Sequence, residues 1–275
     1  MKYTEFLELS KKVTEEVRDS IKKISSDNLR LEVGMGKDGT PTKKVDKVAE
    51  DAALKILKEY DFRVVSEESG VMGDGDIFVA LDPVDGTFNA TRGIPIYSIS
   101  MCFSKSERLC DTFFAYVSNL STGTEYYASG EWNNGKAFRD GERIYVSNEE
   151  SIHCNAIFYY PRKNYGFRRI RIFGSAALEL CFVAEGSVDC FIDIRNSSIY
   201  QNQGVSFQSA PREGLLRIYD VAAGVFISRC ANAVTTDIHG NLLDSRKINM
   251  DERLTLLVAN EKLHKNILKV FKGEK

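Results

Sequence analysis

Residues 77–81, Ile-Phe-Val-Ala-Leu, run straight into Asp82-Pro83-Val84-Asp85-Gly86-Thr87-Phe88-Asn89. An apolar run of this length reads as a short buried strand, and residues 62–66, ahead of Glu67-Glu68, read the same way. Two acidic motifs thus stand at the C-terminal ends of strands, where ligands are held rigidly. Far downstream a further acid, Asp220, opens an apolar helical pattern that ends near Cys230.

The remaining elements follow from periodicity. Phe6, Leu9, Val13, Val17, Ile21 and Ile24 form one stripe of a long first helix. Three glycines and a proline within residues 34–41 predict a mobile loop, and Asp46 lies where that loop meets a second helix carrying Val45, Val48, Ala52 and Ile56. Residues 94–103, 112–117 and 124–128 read as strands of an antiparallel meander, and Asp140-Gly141 is a hairpin signal before a strand at 144–146. The meander closes a first half near residue 150. Beyond it, strands at 156–160, 171–173, 188–194 and 254–258 alternate with helices at 175–185 and 263–271. Residues 196–214 hold all the glutamines of the chain and no sustained period, and read as an inserted loop or lid.

Composition excludes several classes. A net charge of −2 gives no nucleic-acid-binding surface, so an acidic substrate has to be attracted locally. No run of eighteen apolar residues exists and the amphipathic N-terminus lacks a signal-peptide core, which predicts a cytoplasmic protein without a membrane partner. The six cysteines fall in no zinc-ligand spacing and read as reduced, mostly buried thiols.

Spaced carboxylates suit Mg²⁺, which takes oxygen ligands and shares itself between protein acids and substrate phosphate. In Asp82-Pro83-Val84-Asp85 the proline favours a turn that aims both acids at one point and leaves the Val84 carbonyl as a further ligand. Gly86-Thr87 lets the backbone approach a phosphate at a helix start. Taken singly, each piece also reads as ordinary structure: a turn, a solvated strand end, or an N-cap at Asp220.

In combination, Glu67-Glu68-Ser69, the Asp82 to Asn89 run and Tyr219-Asp220-Val221-Ala222-Ala223-Gly224 resemble the signature motifs of the inositol monophosphatase family, most nearly its archaeal members active on both inositol-1-phosphate and fructose-1,6-bisphosphate. The resemblance implies an α+β fold, a layered α-β-α-β-α sandwich of the sugar-phosphatase type. Residues 1–150 would carry most metal ligands, and residues 151–275 the substrate pocket and Asp220, packed as one unit. It implies two or three Mg²⁺ ions, with Mn²⁺ as a substitute: Glu67, Asp82 and the Val84 carbonyl on one ion, Asp82, Asp85 and Asp220 on a second, and Glu67 with water on a third. Asp46 would pair with Thr87 to orient the attacking water, Gly86 and Thr87 amides would hold phosphate, and Gly174, Ser175, Ala176 and Asp193 would line the polyol site. Arg171 and Arg195 flank that pocket and are expected either to receive a second phosphate or to be solvated. Relatives are Li⁺-inhibited homodimers. The alternatives are a 3′-phosphoadenosine 5′-phosphate phosphatase and a non-catalytic phosphate-ligand binding protein. Asp85→Asn is expected to remove turnover and spare the fold.

Overall fold

The computed structural model describes residues 1–37, 39–161, 163–195 and 216–273. Helix α1 (Tyr3–Lys22) buries the predicted stripe through Phe6, Leu9, Val13 and Val17. The glycine-bearing stretch that follows belongs to a hairpin, in which β1 (Glu32–Met35) pairs antiparallel with β2 (Pro41–Lys43). Helix α2 (Lys44–Leu57) starts directly from it.

The chain then lays down β3 (Phe62–Ser66), β4 (Gly70–Met72), β5 (Ile77–Asp85), the short helix α3 (Thr87–Arg92), β6 (Ser98–Ser104), β7 (Thr112–Asn119), β8 (Glu125–Ser129), β9 (Lys136–Arg139) and β10 (Glu142–Arg143). These strands make one sheet in the order β10-β9-β8-β7-β6-β5-β3-β4, parallel only between β3 and β5. The Asp140-Gly141 turn is a two-residue hairpin loop with both φ positive, 48° and 88°, as the strand twist demands.

After residue 150 come β11 (Asn155–Tyr159), β12 (Arg169–Arg171), α4 (Ala176–Ala184), β13 (Cys190–Asp193), α5 (Ile218–Cys230), β14 (Val234–Thr236), β15 (Leu256–Ala259) and α6 (Glu261–Lys272). The second sheet runs β12-β11-β13-β15-β14. Side chains alternate across both sheets. On the first, Val79 and Leu81 pack with α1 and α2 while Ala80 faces α4 and α5. On the second, Ile157 and Phe191 face α4 and α5, whereas Phe158 and Ile192 meet Leu263 and Ile267 of α6. The layers are therefore α1/α2, sheet, α4/α5, sheet, α6, an α+β sandwich, and the middle helices are buried on all sides.

Three expected strands shift. Residues 94–97 are not strand, because the Ile94 amide serves the Asn89 carbonyl at the end of α3 (3.0 Å). Residues 144–146 are not strand either: the Ile144 amide still reaches Ala137 of β9, but that of Val146 leaves the sheet for the Ala231 carbonyl. The strand expected at 171–173 ends at Arg171, since the Phe173 and Gly174 amides turn to Glu179. The insertion at residues 196–214 lies outside the described residues. All six cysteines are free, and only Cys110 is not buried. Among the described residues no helix is long and apolar enough to cross a membrane.

Candidate active site

Two aspartates three residues apart on a regular strand would face opposite ways. On β5 they do not, because the ladder slips: Asp82 pairs with Ser100, but Asp85 pairs with Ser98, so three steps on β5 span two on β6. Pro83, with no amide to give the ladder, sits in this bulge. Val84 takes the α1/α2 side, and Asp82 and Asp85 both turn toward the middle helices. Because β3 lies parallel to β5 with Ser66 beside Leu81, the next residue of each strand, Glu67 and Asp82, arrives at the same sheet end.

Helix N-termini complete the arrangement. Asp46 and Asp220 occupy the same position, the third residue of α2 and of α5, and each carboxylate accepts the amide that precedes its helix, from Lys43 (3.3 Å) and Arg217 (3.1 Å). Asp220 is therefore not the N-cap itself but the acidic partner of a capping box. Asp85 stands before α4, accepting the Ser175 hydroxyl (2.6 Å) and the amides of Ala176 (3.1 Å) and Ala177 (2.8 Å). Negative charge at these positive helix ends is favourable, which offsets part of the cost of burying it.

Electrostatics bind the acids into one group. Burial first, then the charges of Asp85, Asp220 and Glu67, push the Asp82 carboxyl well above its ordinary value. Burial raises Asp220 to about 7 against the pull of the Arg217 amide, and Asp85 to about 6 against the donors of α4. Among the described residues no three His, Cys, Asp or Glu side chains are gathered closely enough to hold a metal ion by themselves. The atoms that these four carboxylates and the Val84 carbonyl could offer a cation are all oxygen, and hard oxygen donors fit Mg²⁺ or Mn²⁺.

Beside this group the Thr87 hydroxyl donates to Asp46 (2.8 Å), with the Val84 carbonyl as a second acceptor at 3.2 Å. Burial lifts Asp46 to about 6, the Thr87 hydrogen bond opposing. The β1–β2 hairpin closes on the acidic turn, where Thr40 reaches Glu67 (3.4 Å) and Thr42 bonds Glu68.

The expected polyol positions form a wall against α3. Gly86, at φ 94°, lets Gly174 and Ser175 approach so closely that a Cβ there would lie 2.9 Å from the Gly174 carbonyl. Asn89 ties the same turn down, donating to the carbonyls of Phe173 (2.7 Å) and Ile96 (2.6 Å). Asp193 is fully buried and held by Arg195, whose Nε is 3.0 Å from each of its oxygens and whose guanidinium lies 4.7 Å from the Tyr159 ring centre. Arg195 is thus not a solvated arginine. Arg171 is exposed on the edge strand β12, turned to its neighbour's carbonyl, Ile170 (3.0 Å), and is not drawn into this group.

Sequence reasoning missed two buried acids. Glu50, one turn beyond Asp46 on α2, accepts the Ser66 and Ser69 hydroxyls and the Ser69 amide, clamping the turn that carries Glu67. Glu179 accepts the Tyr159 hydroxyl and the Phe173 and Gly174 amides. The signal available was a lone acid in the otherwise apolar helix Ala-Ala-Leu-Glu-Leu-Cys-Phe-Val-Ala. Asn89 stood in the motif without an assigned role.

Comparison with known proteins gives the family. A profile of the inositol monophosphatase family matches residues 2–274. A fructose-1,6-bisphosphatase/inositol-1-monophosphatase of Archaeoglobus fulgidus is 53% identical over 97% of this chain and 98% of its own. A bifunctional NADP phosphatase/NAD kinase of Methanocaldococcus jannaschii is 32% identical over 97% of this chain but only 50% of its own. A solved inositol monophosphatase-fructose 1,6-bisphosphatase superposes with a TM-score of 0.80 at 28% identity, covering 98% of this chain and 100% of that one. The chain belongs to the inositol monophosphatase family and is a phosphatase, a phosphoric monoester hydrolase.

Proposed function

We propose that this phosphatase hydrolyses inositol-1-phosphate and fructose-1,6-bisphosphate, the two substrates in the name of the Archaeoglobus relative, and that it does so with Mg²⁺, or Mn²⁺ in its place. The observation that carries the reading is the acid group of buried Asp82 and Asp85 with half-buried Asp220 and Glu67, beside the Asp46–Thr87 pair. Glu67, Asp82 and the Val84 carbonyl would hold one ion, Asp82, Asp85 and Asp220 a second, and Glu67 with water a third. Bound there, divalent ions supply charge neutralisation for the phosphate dianion and a lowered pKa for water.

The chain's own residues do the rest. The Thr87 oxygen, its proton committed to Asp46, is left with acceptor capacity for a water's O–H, so the pair orients the nucleophile and Asp46 receives the proton. Its pKa near 6 keeps Asp46 ionised at neutral pH yet basic enough for that work. Gly86 and Thr87 hold the phosphate end. The wall of Gly174, Ser175 and Ala176, with Asp193, meets the polyol. Arg195 is the candidate for a second phosphate, once it exchanges Asp193 for that anion. The family resemblance implies that the chain would work as a homodimer.

Phosphate release from inositol-1-phosphate, fructose-1,6-bisphosphate, NADP and 3′-phosphoadenosine 5′-phosphate, with Mg²⁺ present, tests the substrate assignment. Turnover confined to either nucleotide would overturn it. For the mechanism, Asp46→Asn is expected to lower kcat by about 10²–10⁴ with little change in Tm. Asp85→Asn is the wrong variant for that purpose: an amide keeps one acceptor oxygen where Ser175, Ala176 and Ala177 all require acceptors, so α4 loses its N-terminal partner as well.

A further inference from the structure

We infer that Glu179 is a positioning residue for substrate binding, a buried strut that holds the polyol-facing turn Phe173-Gly174-Ser175 against α3 and joins it to the Tyr159–Arg195–Asp193 group. The inference deepens the proposed function and rests on it. Glu179 is wholly buried, and an acid there has to be matched by donors. Both its oxygens are used. One accepts the amides of Phe173 and Gly174 (the latter at 3.0 Å), and the other accepts the Tyr159 hydroxyl at 2.5 Å.

Each of those partners leads to the wall of the site. The Phe173 carbonyl is held from the opposite side by Asn89 at 2.7 Å, so the turn is gripped by its amides from α4 and by its carbonyl from α3. Gly174, at φ 84°, passes 3.2 Å from Asn89 Nδ2 at the position a Cβ would take, which leaves no room for the turn to drift toward α3. On the other side, Tyr159 presents its ring to the Arg195 guanidinium, 4.7 Å away, and Arg195 is the group that pairs with Asp193. One side chain thus sets the distance between the two halves of the polyol wall.

Three variants separate positioning from charge and from plain stability. In Glu179→Gln the side-chain carbonyl still accepts both amides, and its NH₂ donates to the Tyr159 oxygen, so every link survives without the charge. Glu179→Ala cuts all three links, and Tyr159→Phe cuts one with almost no change in volume. The expected result is a KM for inositol-1-phosphate raised about tenfold in Glu179→Ala and about threefold in Tyr159→Phe, with kcat within about threefold of wild type and Glu179→Gln restored to near wild type. Hydrogen exchange of the peptide covering Phe173 and Gly174 gives a readout independent of turnover: it is expected to quicken in Glu179→Ala and stay protected in Glu179→Gln. Equal impairment of the Gln and Ala variants, or a folded Glu179→Ala protein with wild-type KM and exchange, overturns the inference. Where Glu179→Ala does not fold, unchanged KM in Tyr159→Phe overturns it. Failure of the proposed substrate is distinguished by the wild type, which would then release no phosphate while the exchange pattern still reports on the strut.

Discussion

At Gly86 the chain turns through φ 94° with a carbonyl 2.9 Å and the Ser175 side chain 3.3 Å from where a Cβ would sit. Gly86→Ala is therefore expected to cost about 1–3 kcal/mol of stability and to lower kcat/KM more than tenfold, read by Tm and turnover; wild-type values in both would refute the close approach. His264 gives a different residue-scale prediction. Its ring is buried against the Thr236 hydroxyl (2.8 Å), and burial lowers its pKa from 6.5 to about 4. The unfolded chain then binds the proton more readily, so this contribution is full above pH 6.5 and is lost as pH falls through about 4. At 1.36 kcal/mol per pH unit the loss amounts to about 3 kcal/mol, and His264→Gln, which can keep the Thr236 bond, should flatten that part of the pH–stability curve. Parallel curves for the two proteins would rule it out. Most of the site was legible at this scale because its acids stand in spaced motifs. Glu50 and Glu179 were not, since a buried glutamate is spelled like a solvated one and only its donors, brought from 16–19 and from 5–20 residues away, distinguish it.

Helices α4 and α5 meet where Gly224 faces Leu180, and a Cβ on Gly224 would lie 2.7 Å from that of Leu180 and 3.2 Å from the Ala177 carbonyl. The glycine of the Asp220 motif thus serves packing, letting the helix that carries Asp220 lie close to the one that Asp85 caps. Gly224→Ala gains about 1 kcal/mol of helix propensity but pushes the pair apart, and a net loss of about 1–2 kcal/mol is expected in the denaturation midpoint, with Mg²⁺ activation shifted to higher concentration. An unchanged midpoint would mean the helices adjust freely. Elements defined by hydrophobic period, such as α1, β5 and β7, were readable from the chain. Those defined by who takes the amide were not: β1 is exposed along its whole length and exists through its pairing with β2, while residues 144–146 look like a strand but the Val146 amide goes to Ala231, outside the sheet.

Across the whole molecule the proposed ligands come from both sides of residue 150, with Glu67 in the turn after β3, Asp82 and Asp85 on β5 and Asp220 on a helix buried between the two sheets. A cation shared by them would stabilise the chain as one body, by about 2.7 kcal/mol at a hundredfold excess over its Kd. Calorimetry with and without Mg²⁺ is expected to show a single transition that moves up as a unit, and in Asp220→Asn a smaller shift; two transitions of which only one responds would mean separately folding halves. The slip on β5 reaches beyond this protein. Had the strand been regular, two acids on one face would have been spelled Asp-x-Asp; the slip spells the same facing Asp-x-x-Asp. Counting residues between acids therefore separates chains that the ladder makes alike. When sites of this kind are traced through distant sequences, the pairing register of the strand is the character to align, and a one-residue gap inside the motif can leave the facing of the acids unchanged.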